Sequence, residues 1–360
     1  MDVTGLLRDV LGGHRLTEAE AVALFKIHDR EVWEITAAAD ILREQKNGDA
    51  VTYVRNQNLN VTNICINTCG FCGFSRKLSD PDAFLYDEDA IRRKAAQARE
   101  RGVTEICTVS GLHPAFTGQS YLDILSAIRS EAPEIHIHAS NPMEVAYGAR
   151  KSGWTTREML ERMKAAGLGS MCGTAAEILV DSVRERICPG KIDTATWERI
   201  IREAHTCGIR TTATIMYGSG EDIRDRVEHL AILRRIQEDT HMFTEFVPLS
   251  FVHMNTPLYL RNAATAGATG REDILLYAVA RMYLDNIDHV QSSWVKLGKK
   301  MAQLCLLAGA DDLGGTMYEE SISKGAGATD TDYLDPGEMR RIAADLGRPL
   351  RQRTTLYALI

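Results

Sequence analysis

The sequence lacks the long apolar segment that a membrane-spanning helix requires. No uncharged apolar run in its 360 residues approaches the roughly 18 residues needed to cross a bilayer. The N-terminal stretch MDVTGLLRDVLGGHRLTEAEAV also places charges where a secretion signal needs an apolar core. We therefore expect a soluble protein of the cytoplasm that binds no membrane.

Positive charge is not in excess either. Forty-two Lys and Arg residues face 49 Asp and Glu residues, which gives a formal net charge of -7. The overall field therefore repels nucleic acid and argues against a general nucleic-acid binder. With 44% hydrophobic and 25% charged residues, the chain can bury one large core or two smaller ones, which excludes a disordered chain.

Cysteine is sparse and unevenly placed. Eight cysteines in a long chain without a secretion signal indicate reduced thiols, not four disulfides. Three of the eight, Cys65, Cys69 and Cys72, fall within eight consecutive residues. The other five are solitary and lie in or near apolar segments, so we interpret them as buried small hydrophobic side chains.

Short apolar runs alternate with longer amphipathic segments along most of the chain. Eight of these runs predict strands, at 58–64, 105–110, 135–140, 169–173, 210–217, 243–251, 288–294 and 311–314. The segments between them predict helices, several of which are followed by Gly where a helix end needs a left-handed residue. Two more helices are predicted near 16–27 and 30–45.

Eight βα alternations in about 290 residues favour an α/β fold of the (β/α)8 barrel type, with an open doubly wound sheet as the alternative. No Pro/Gly-rich linker separates two domains. We therefore predict an N-terminal helical extension over 1–50 and a barrel over 51–360. The active site of such a barrel lies at the C-terminal ends of the strands.

The strongest chemical signal is the C-x3-C-x2-C motif of Cys65, Cys69 and Cys72, just past the first predicted strand. Three thiolates so close together predict a shared metal. Zinc usually takes four closed ligands, and no fourth Cys or His follows at zinc-finger spacing, whereas a 4Fe-4S cluster held by three cysteines leaves one iron open. A zinc or inert structural site is the alternative interpretation.

This spacing, with Phe71 before the last cysteine and with the motif after the first strand of a βα series, resembles the radical S-adenosylmethionine (SAM) superfamily. The resemblance implies that the three cysteines bind a 4Fe-4S cluster. It further implies that the open iron binds the amino and carboxylate groups of SAM, and that SAM is cleaved to methionine and a 5'-deoxyadenosyl radical.

Two turns and one carboxylate match SAM-binding places of that superfamily. Ser110 and Gly111 correspond to a Gly-Gly-Glu turn that meets the SAM amino group, although Ser110 replaces the first Gly and Leu112 replaces the acid. The resemblance therefore carries over only a backbone contact. A turn that merely needs the conformational freedom of Gly111 is the alternative.

The other implied SAM contacts lie further along the chain. Met216 and Tyr217 open a Gly-bearing turn of the type that recognises adenine, while Phe71 would pack on the adenine ring. Glu177 is a candidate acceptor for the ribose hydroxyls or the SAM ammonium. A solvated carboxylate at a helix start is the alternative for Glu177.

Segments over nearly the whole chain resemble one family, the CofH subunits of FO synthase. These segments are NLNVTN (58–63), GLHP (111–114), IHIHA (135–139), GTAAEI (173–178), TEFVPL (244–249), SWVKLG (293–298), DLGGT (312–316) and QRTTLY (352–357). The family is implied to cleave the Cα-Cβ bond of L-tyrosine and to couple the 4-hydroxybenzyl fragment to 5-amino-6-(D-ribitylamino)uracil, releasing 2-iminoacetate. A partner enzyme of the CofG type then closes the deazaflavin ring, and a single cysteine triad fits this two-subunit arrangement.

Polar residues near the predicted strand ends suit these substrates, which need partners for a carboxylate, a phenol and many neutral groups. We predict His138 and Glu245 as catalytic, because both are expected at strand ends and a neutral imidazole can accept a proton near pH 7. The predicted substrate contacts are His136, His253, Gln291 and Trp294.

Several of these residues have alternative interpretations. His136 and His138 face one side of a strand and could be hydrogen-bonded barrel-core histidines. Trp294 could cover an aromatic substrate or simply pack in the core. Lys296 could pair with a carboxylate or be a solvated cation at a helix start.

Two other functions remain open from the sequence. One is an aminofutalosine synthase of menaquinone biosynthesis, a radical SAM enzyme with similar cysteine and strand-three segments. The other is a non-catalytic iron-sulfur or zinc protein, which would not cleave SAM.

Overall fold

Helices and parallel strands alternate through most of the chain in the computed structural model, which describes residues 2–329 and 331–360. The helices are α1 (Val3–Leu11), α2 (Glu18–Phe25), α3 (Glu31–Asn47), α4 (Glu88–Glu100), α5 (Gly118–Glu131), α6 (Pro142–Ser152), α7 (Thr156–Ala165), α8 (Asp181–Ile187), α9 (Thr194–Thr206), α10 (Ile223–Thr240), α11 (Pro257–Leu260), α12 (Gly270–Tyr283), α13 (Trp294–Leu306), α14 (Ile322–Ala326) and α15 (Pro336–Asp345). The strands are β1 (Val51–Val54), β2 (Asn56–Asn58), β3 (Glu105–Thr108), β4 (His136–Ala139), β5 (Ser170–Met171), β6 (Arg210–Tyr217), β7 (Phe243–Ser250), β8 (Asp312–Gly315) and β9 (Leu350–Gln352).

The strands form a curved parallel sheet. Strands β2 to β7 pair in sequence order, and β1 pairs with β8 and β9 in a second parallel sheet. Only Arg55 separates β1 from β2, so this stretch belongs to both sheets. On the opposite side, parallel bridges from Phe246 to Val290 and from Gln291 to Asp312 connect β7 to β8. The predicted α/β fold of the barrel type is therefore confirmed, with isolated bridges in place of a regular seventh strand.

The first strand lies earlier in the chain than the apolar pattern predicts. The prediction was 58–64, whereas β1 and β2 cover Val51 to Asn58. The displaced part contains buried amides: the side chain of Asn56 donates to Glu105 at 3.2 Å, and that of Gln57 donates to the Lys94 carbonyl at 3.1 Å. A hydrophobic pattern does not detect β2, because its buried positions are polar. Strand β1 is an apolar run that the prediction overlooked.

Three helices precede the first strand. Helices α2 and α3 pack on α10 and α12 of the outer layer, and Arg15 binds Glu238 at 2.7 Å. The predicted boundary near residue 50 stays a prediction, because these helices are packed directly against the barrel helices. No described helix is both long enough and apolar enough to cross a membrane.

Candidate active site at the carboxyl ends of the strands

The cysteine loop follows β2 and is held from two sides. The Gly70 amide donates to the Ile187 carbonyl at 2.8 Å, and the Leu258 amide donates to the Gly70 carbonyl at 2.8 Å. A Cβ atom on Gly70 would lie 2.7 Å from Leu258 Cγ, and one on Gly73 would lie 2.6 Å from the Gly325 carbonyl oxygen. Both glycines are therefore required by close packing of the loop against its neighbours.

The three thiols of this loop fit an iron-sulfur cluster. None of them is in a disulfide, and the backbone amides of Leu112 and Asn67 hydrogen-bond the Cys65 sulfur. Burial raises the pKa of the Cys69 thiol to about 12, so its thiolate needs a compensating positive charge such as iron. Among residues 2–329 and 331–360, no three His, Cys, Asp or Glu side chains converge on a single ion. Cysteines that ligate different irons of one cluster need no such convergence.

The turn at Ser110 and Gly111 is joined to the segment before the cysteines. The Gly111 amide donates to the Thr62 carbonyl at 2.9 Å, and the Val61 amide donates to the Ser110 hydroxyl at 2.8 Å. A Cβ on Gly111 would lie 2.3 Å from the Ile64 carbonyl oxygen. This close approach by itself requires Gly111, while its contact with SAM stays a prediction.

An acid that the sequence did not single out lies beside this turn. Glu144 of α6 accepts from the Ser110 amide at 3.3 Å, and burial raises the pKa of this carboxyl to about 8. Its Oε2 and the Tyr121 hydroxyl have no hydrogen-bond partner in the described chain, and both residues line a cavity of about 10 Å³. That volume suits a single water. Glu144 of α6 thus places an acidic side chain beside the turn in which Leu112 stands in place of an acid.

Glu177 and Phe71 are brought together by Lys191, a residue that no sequence motif singled out, and Met216 is joined to Glu177 through the backbone. Lys191 forms an ion pair with Glu177, and its Nζ lies 5.1 Å from the centroid of the Phe71 ring. The Met216 amide donates to the Glu177 carbonyl at 2.9 Å. Glu177 is buried, has a positive φ of 45° and precedes α8, so the alternative of a solvated carboxylate at a helix start is wrong.

Tyr217 does not point toward a ligand. Its side chain is fully buried and its hydroxyl donates to Asp273 at 2.7 Å. Its carbonyl accepts from the Phe251 amide at 2.9 Å. The expected contact of Tyr217 with SAM is therefore corrected for both the side chain and the carbonyl, because these groups are already used within the core.

The two histidines of β4 share one hydroxyl. The Ser170 hydroxyl lies 2.8 Å from His136 Nε2 and 2.7 Å from His138 Nδ1, as expected for alternate residues on one face. A hydroxyl has one proton to donate, so at least one imidazole must donate to it. Burial lowers the pKa of both histidines, that of His138 to about 4. His138 is therefore neutral at pH 7, and it lies next to the last residue of β4.

Glu245 lies in a different place from the one predicted. It is the third residue of the eight-residue strand β7, not a residue at its C-terminal end. Arg353 contacts it at 3.3 Å and the Tyr357 hydroxyl donates to it. Burial raises the pKa of Glu245 to about 7, although Arg353 opposes this shift. The positional argument for its catalytic role was wrong, because Glu245 lies near the start of β7. Its carboxylate is bound by Arg353 and Tyr357.

A cavity of about 340 Å³ opens where β7 and the 290–291 segment end. It is lined by His253, Lys296 and Asp273, among others. The His253 ring packs edge-on against Tyr259 at 4.4 Å between centroids. Ligand pockets in proteins usually have volumes of about 300–1,000 Å³, so this cavity is large enough for a small substrate.

The remaining predicted substrate contacts, Gln291 and Trp294, are both buried. Gln291 is buried and packs against Gly314, where a Cβ would lie 2.1 Å from its Nε2. Trp294 is 2% exposed, and its indole donates to the Gly315 carbonyl at 2.9 Å. The interpretation of Trp294 as a cover over substrate is therefore corrected, because it packs in the core with its one donor satisfied.

Comparison with known proteins extends over the whole chain. Residues 59–233 match the radical SAM superfamily, and residues 240–356 match the CofH/MqnC C-terminal region. The chain is 69% identical to the 5-amino-6-(D-ribitylamino)uracil--L-tyrosine 4-hydroxyphenyl transferase of Methanoculleus marisnigri, over 99% of this chain and 97% of that protein. The chain belongs to the CofH family of radical SAM transferases.

Two other relatives are also similar to this CofH-family chain over most of its length. It is 46% identical to the transferase of the same description from Methanocaldococcus jannaschii, over 96% of this chain and 97% of that protein. It is also 44% identical to the FO synthase of Mycobacterium leprae, over 95% of this chain but only 40% of that protein. These matches favour the tyrosine-uracil transferases over the two alternative functions.

Solved structures show the same fold. Methylornithine synthase (PylB) superposes with a TM-score of 0.76 over 96% of this chain and 97% of its own, at 16% identity. The hydrogenase maturase HydG superposes with a TM-score of 0.79 over 99% of this chain and 77% of its own, at 17% identity. At such low identity, these matches establish only that the CofH-family chain has the radical SAM barrel.

Proposed function

We propose that this chain cleaves the Cα-Cβ bond of L-tyrosine and couples the 4-hydroxybenzyl fragment to 5-amino-6-(D-ribitylamino)uracil. The other products are 2-iminoacetate, methionine and 5'-deoxyadenosine. The observation that carries the proposal is the triad of free thiols Cys65, Cys69 and Cys72 on the loop after β2. The chain that contains it is 69% identical to a transferase with these two substrates in its name.

The residues at the strand ends divide into two groups in this proposal. The three cysteines would hold the 4Fe-4S cluster, and SAM would lie against Phe71, Glu177, Met216 and the backbone of Ser110 and Gly111. When bound, the cluster and SAM would together supply a 5'-deoxyadenosyl radical for hydrogen abstraction. Lys191 fixes the carboxylate of Glu177 and also lies over Phe71, so it positions both side chains.

Substrates would occupy the cavity at the ends of β7 and the 290–291 segment. His253 lines this cavity, and we propose it and Gln291, which is buried beside Gly314, as hydrogen-bonding partners for the uracil and the phenol. We propose that His138, neutral at pH 7, accepts a hydrogen bond from the tyrosine amine. We further propose that the product passes to a CofG-type enzyme in the cytoplasm, where thiols remain reduced.

The proposed function is tested by turnover without oxygen. The reconstituted, reduced protein is incubated with SAM, L-tyrosine and the ribityl-diaminouracil, and products are identified by mass. We expect a new species that joins the 4-hydroxybenzyl fragment to the uracil and depends on both substrates. The aminofutalosine substrates serve as the parallel arm: product in that arm alone would refute the proposal, and no SAM cleavage in any arm would favour a non-catalytic protein.

His138→Asn is expected to lower the coupling rate about 10-fold or more, because the hydrogen bond proposed from the tyrosine amine to His138 is lost. The asparagine amide can still reach the Ser170 hydroxyl in place of Nδ1, but nothing replaces Nε2. The rate of coupled product is measured together with cluster content and SAM cleavage, which should remain near those of the wild type.

His136→Asn is the matched control, because His136 contacts the same hydroxyl but lies at the beginning of β4. The substrate contact predicted for His136 is not part of the proposed function, since this residue lies at the opposite end of the strand from the proposed site. It should retain most of the coupling activity. Wild-type rates in His138→Asn, or equal losses in both variants, would show that the two histidines only support the barrel core.

A further inference from the structure

Lys296 lines the 340 Å³ cavity from the first turn of α13. Gly298, two residues later, has a φ of 71° and interrupts the helix, so Lys296 lies on a separate turn that faces the cavity. The position is at the carboxyl end of the 290–291 segment, where the barrel places its reactive groups.

The ammonium of Lys296 is bonded to a neutral group. Its Nζ donates to the Ser323 hydroxyl at 2.6 Å, and no carboxylate oxygen in residues 2–329 and 331–360 lies within 4.0 Å of it. The nearby Glu320 uses its carboxylate to accept the amides of Ile322 and Ser323, at 3.1 and 3.0 Å. Glu320 thus holds the backbone of Ser323, whose hydroxyl accepts the hydrogen bond from Lys296, without forming an ion pair with the lysine.

Other lysines near the same face are paired. Lys191 has Glu177 and Lys94 has Glu319. A partly buried ammonium without an ion-pair partner is costly, and a ligand carboxylate would lower that cost with a charge-assisted hydrogen bond. The contrast between the lysines indicates that the partner of Lys296 comes from outside the protein.

Lys296 is the one lysine or arginine among the described residues that line the cavity. Asp273, its acidic side chain, accepts hydrogen bonds from Tyr217 and Ser250. The charge of Lys296 also reaches Cys72 and Glu177 electrostatically, which places the cavity beside the proposed cofactor site. A substrate held by Lys296 would therefore lie next to the radical source.

We propose that Lys296 binds the α-carboxylate of the amino-acid substrate in this cavity. The inference rests on the proposed function, in which L-tyrosine is the substrate that carries a free carboxylate and the uracil is uncharged. Lys296 then sets both the affinity for tyrosine and the direction in which its Cα-Cβ bond points.

The test uses Lys296→Met, which keeps the length of the side chain and removes its charge, and Lys296→Arg, which keeps the charge. Binding of L-tyrosine and of tyramine, which lacks the carboxylate, is measured by calorimetry on the reconstituted protein with SAM. We expect the wild type to prefer L-tyrosine about 10-fold or more, Lys296→Met to lose this preference, and Lys296→Arg to restore part of it.

The same variants are assayed for KM. Lys296→Met should raise the KM for L-tyrosine about 10-fold or more while the KM values for SAM and the uracil change little. Lys300→Met, on the exposed side of the same helix, is the matched control and should behave as the wild type.

Each other outcome has a distinct meaning. If Lys296→Met weakens SAM instead of tyrosine, the lysine serves the carboxylate of SAM and the inference is wrong. If the variant binds both amines as the wild type does, Lys296 has only a structural role, and the inference also fails. A wild type that binds neither L-tyrosine nor tyramine would refute the proposed function itself.

Discussion

Alanine at any one of Cys65, Cys69 or Cys72 should abolish coupling activity, with no measurable SAM cleavage. The physical reason is that each thiolate would ligate a separate iron, so loss of one leaves the cluster without a full set of protein ligands. Iron and sulfide content, the visible absorption of the cluster and 5'-deoxyadenosine formation are measured after anaerobic reconstitution. All three should fall to background in each variant.

Cys207→Ala is the control for this experiment. Cys207 is a solitary, half-buried thiol at the end of α9, remote in sequence from the triad. It should keep its cluster and its activity. A triad variant that retains iron and cleaves SAM would contradict the cluster assignment, and zinc in place of iron in the wild type would favour the structural-site alternative.

Arg353→Met should lower the free energy of unfolding by about 3–5 kcal/mol, the usual cost of removing one partner from a buried ion pair. The Arg353 guanidinium contacts Asp312 at 3.0 Å and Glu245 at 3.3 Å, and all three side chains are buried. Methionine fills a similar volume but leaves two carboxylates without a cation. Denaturation by urea under anaerobic conditions measures the change.

Arg351→Met is the matched control, because Arg351 is exposed and lies two residues earlier, on β9. Its effect should be within about 0.5 kcal/mol, as for ordinary surface substitutions. If the two variants unfold alike, the buried network does not stabilise the barrel. Since Glu245 is part of this network, Glu245→Gln should also destabilise the protein, and wild-type stability with lost coupling would restore its catalytic interpretation.

Local patterns predicted much of the barrel. The strand β6 has the predicted bounds of 210–217. Apolar runs and helix ends are properties of neighbouring residues, so they can be interpreted without the fold. The first strand was misplaced in part because the side chains of Asn56 and Gln57 are buried against Glu105 and the Lys94 carbonyl, partners that only the folded chain supplies.

The candidate site divides in the same way. The spacing of Cys65, Cys69 and Cys72 is a local feature, and it indicated the metal and the family. The ion pair between Glu177 and Lys191, the acid at Glu144 and the side chains lining the cavity join elements that are distant in sequence. No local sequence pattern predicts these contacts.

The sequence by itself determined the alternation of strands and helices, the cysteine triad and the membership of the family, because all three are encoded in spacing along the chain. Tertiary structure decided which charges are compensated. Arg353 contacts Glu245 across 108 residues of sequence, whereas Lys296 donates only to the hydroxyl of Ser323. The physical reason is that burial makes an unpaired charge costly, and burial and pairing depend on contacts between distant elements that periodicity does not specify.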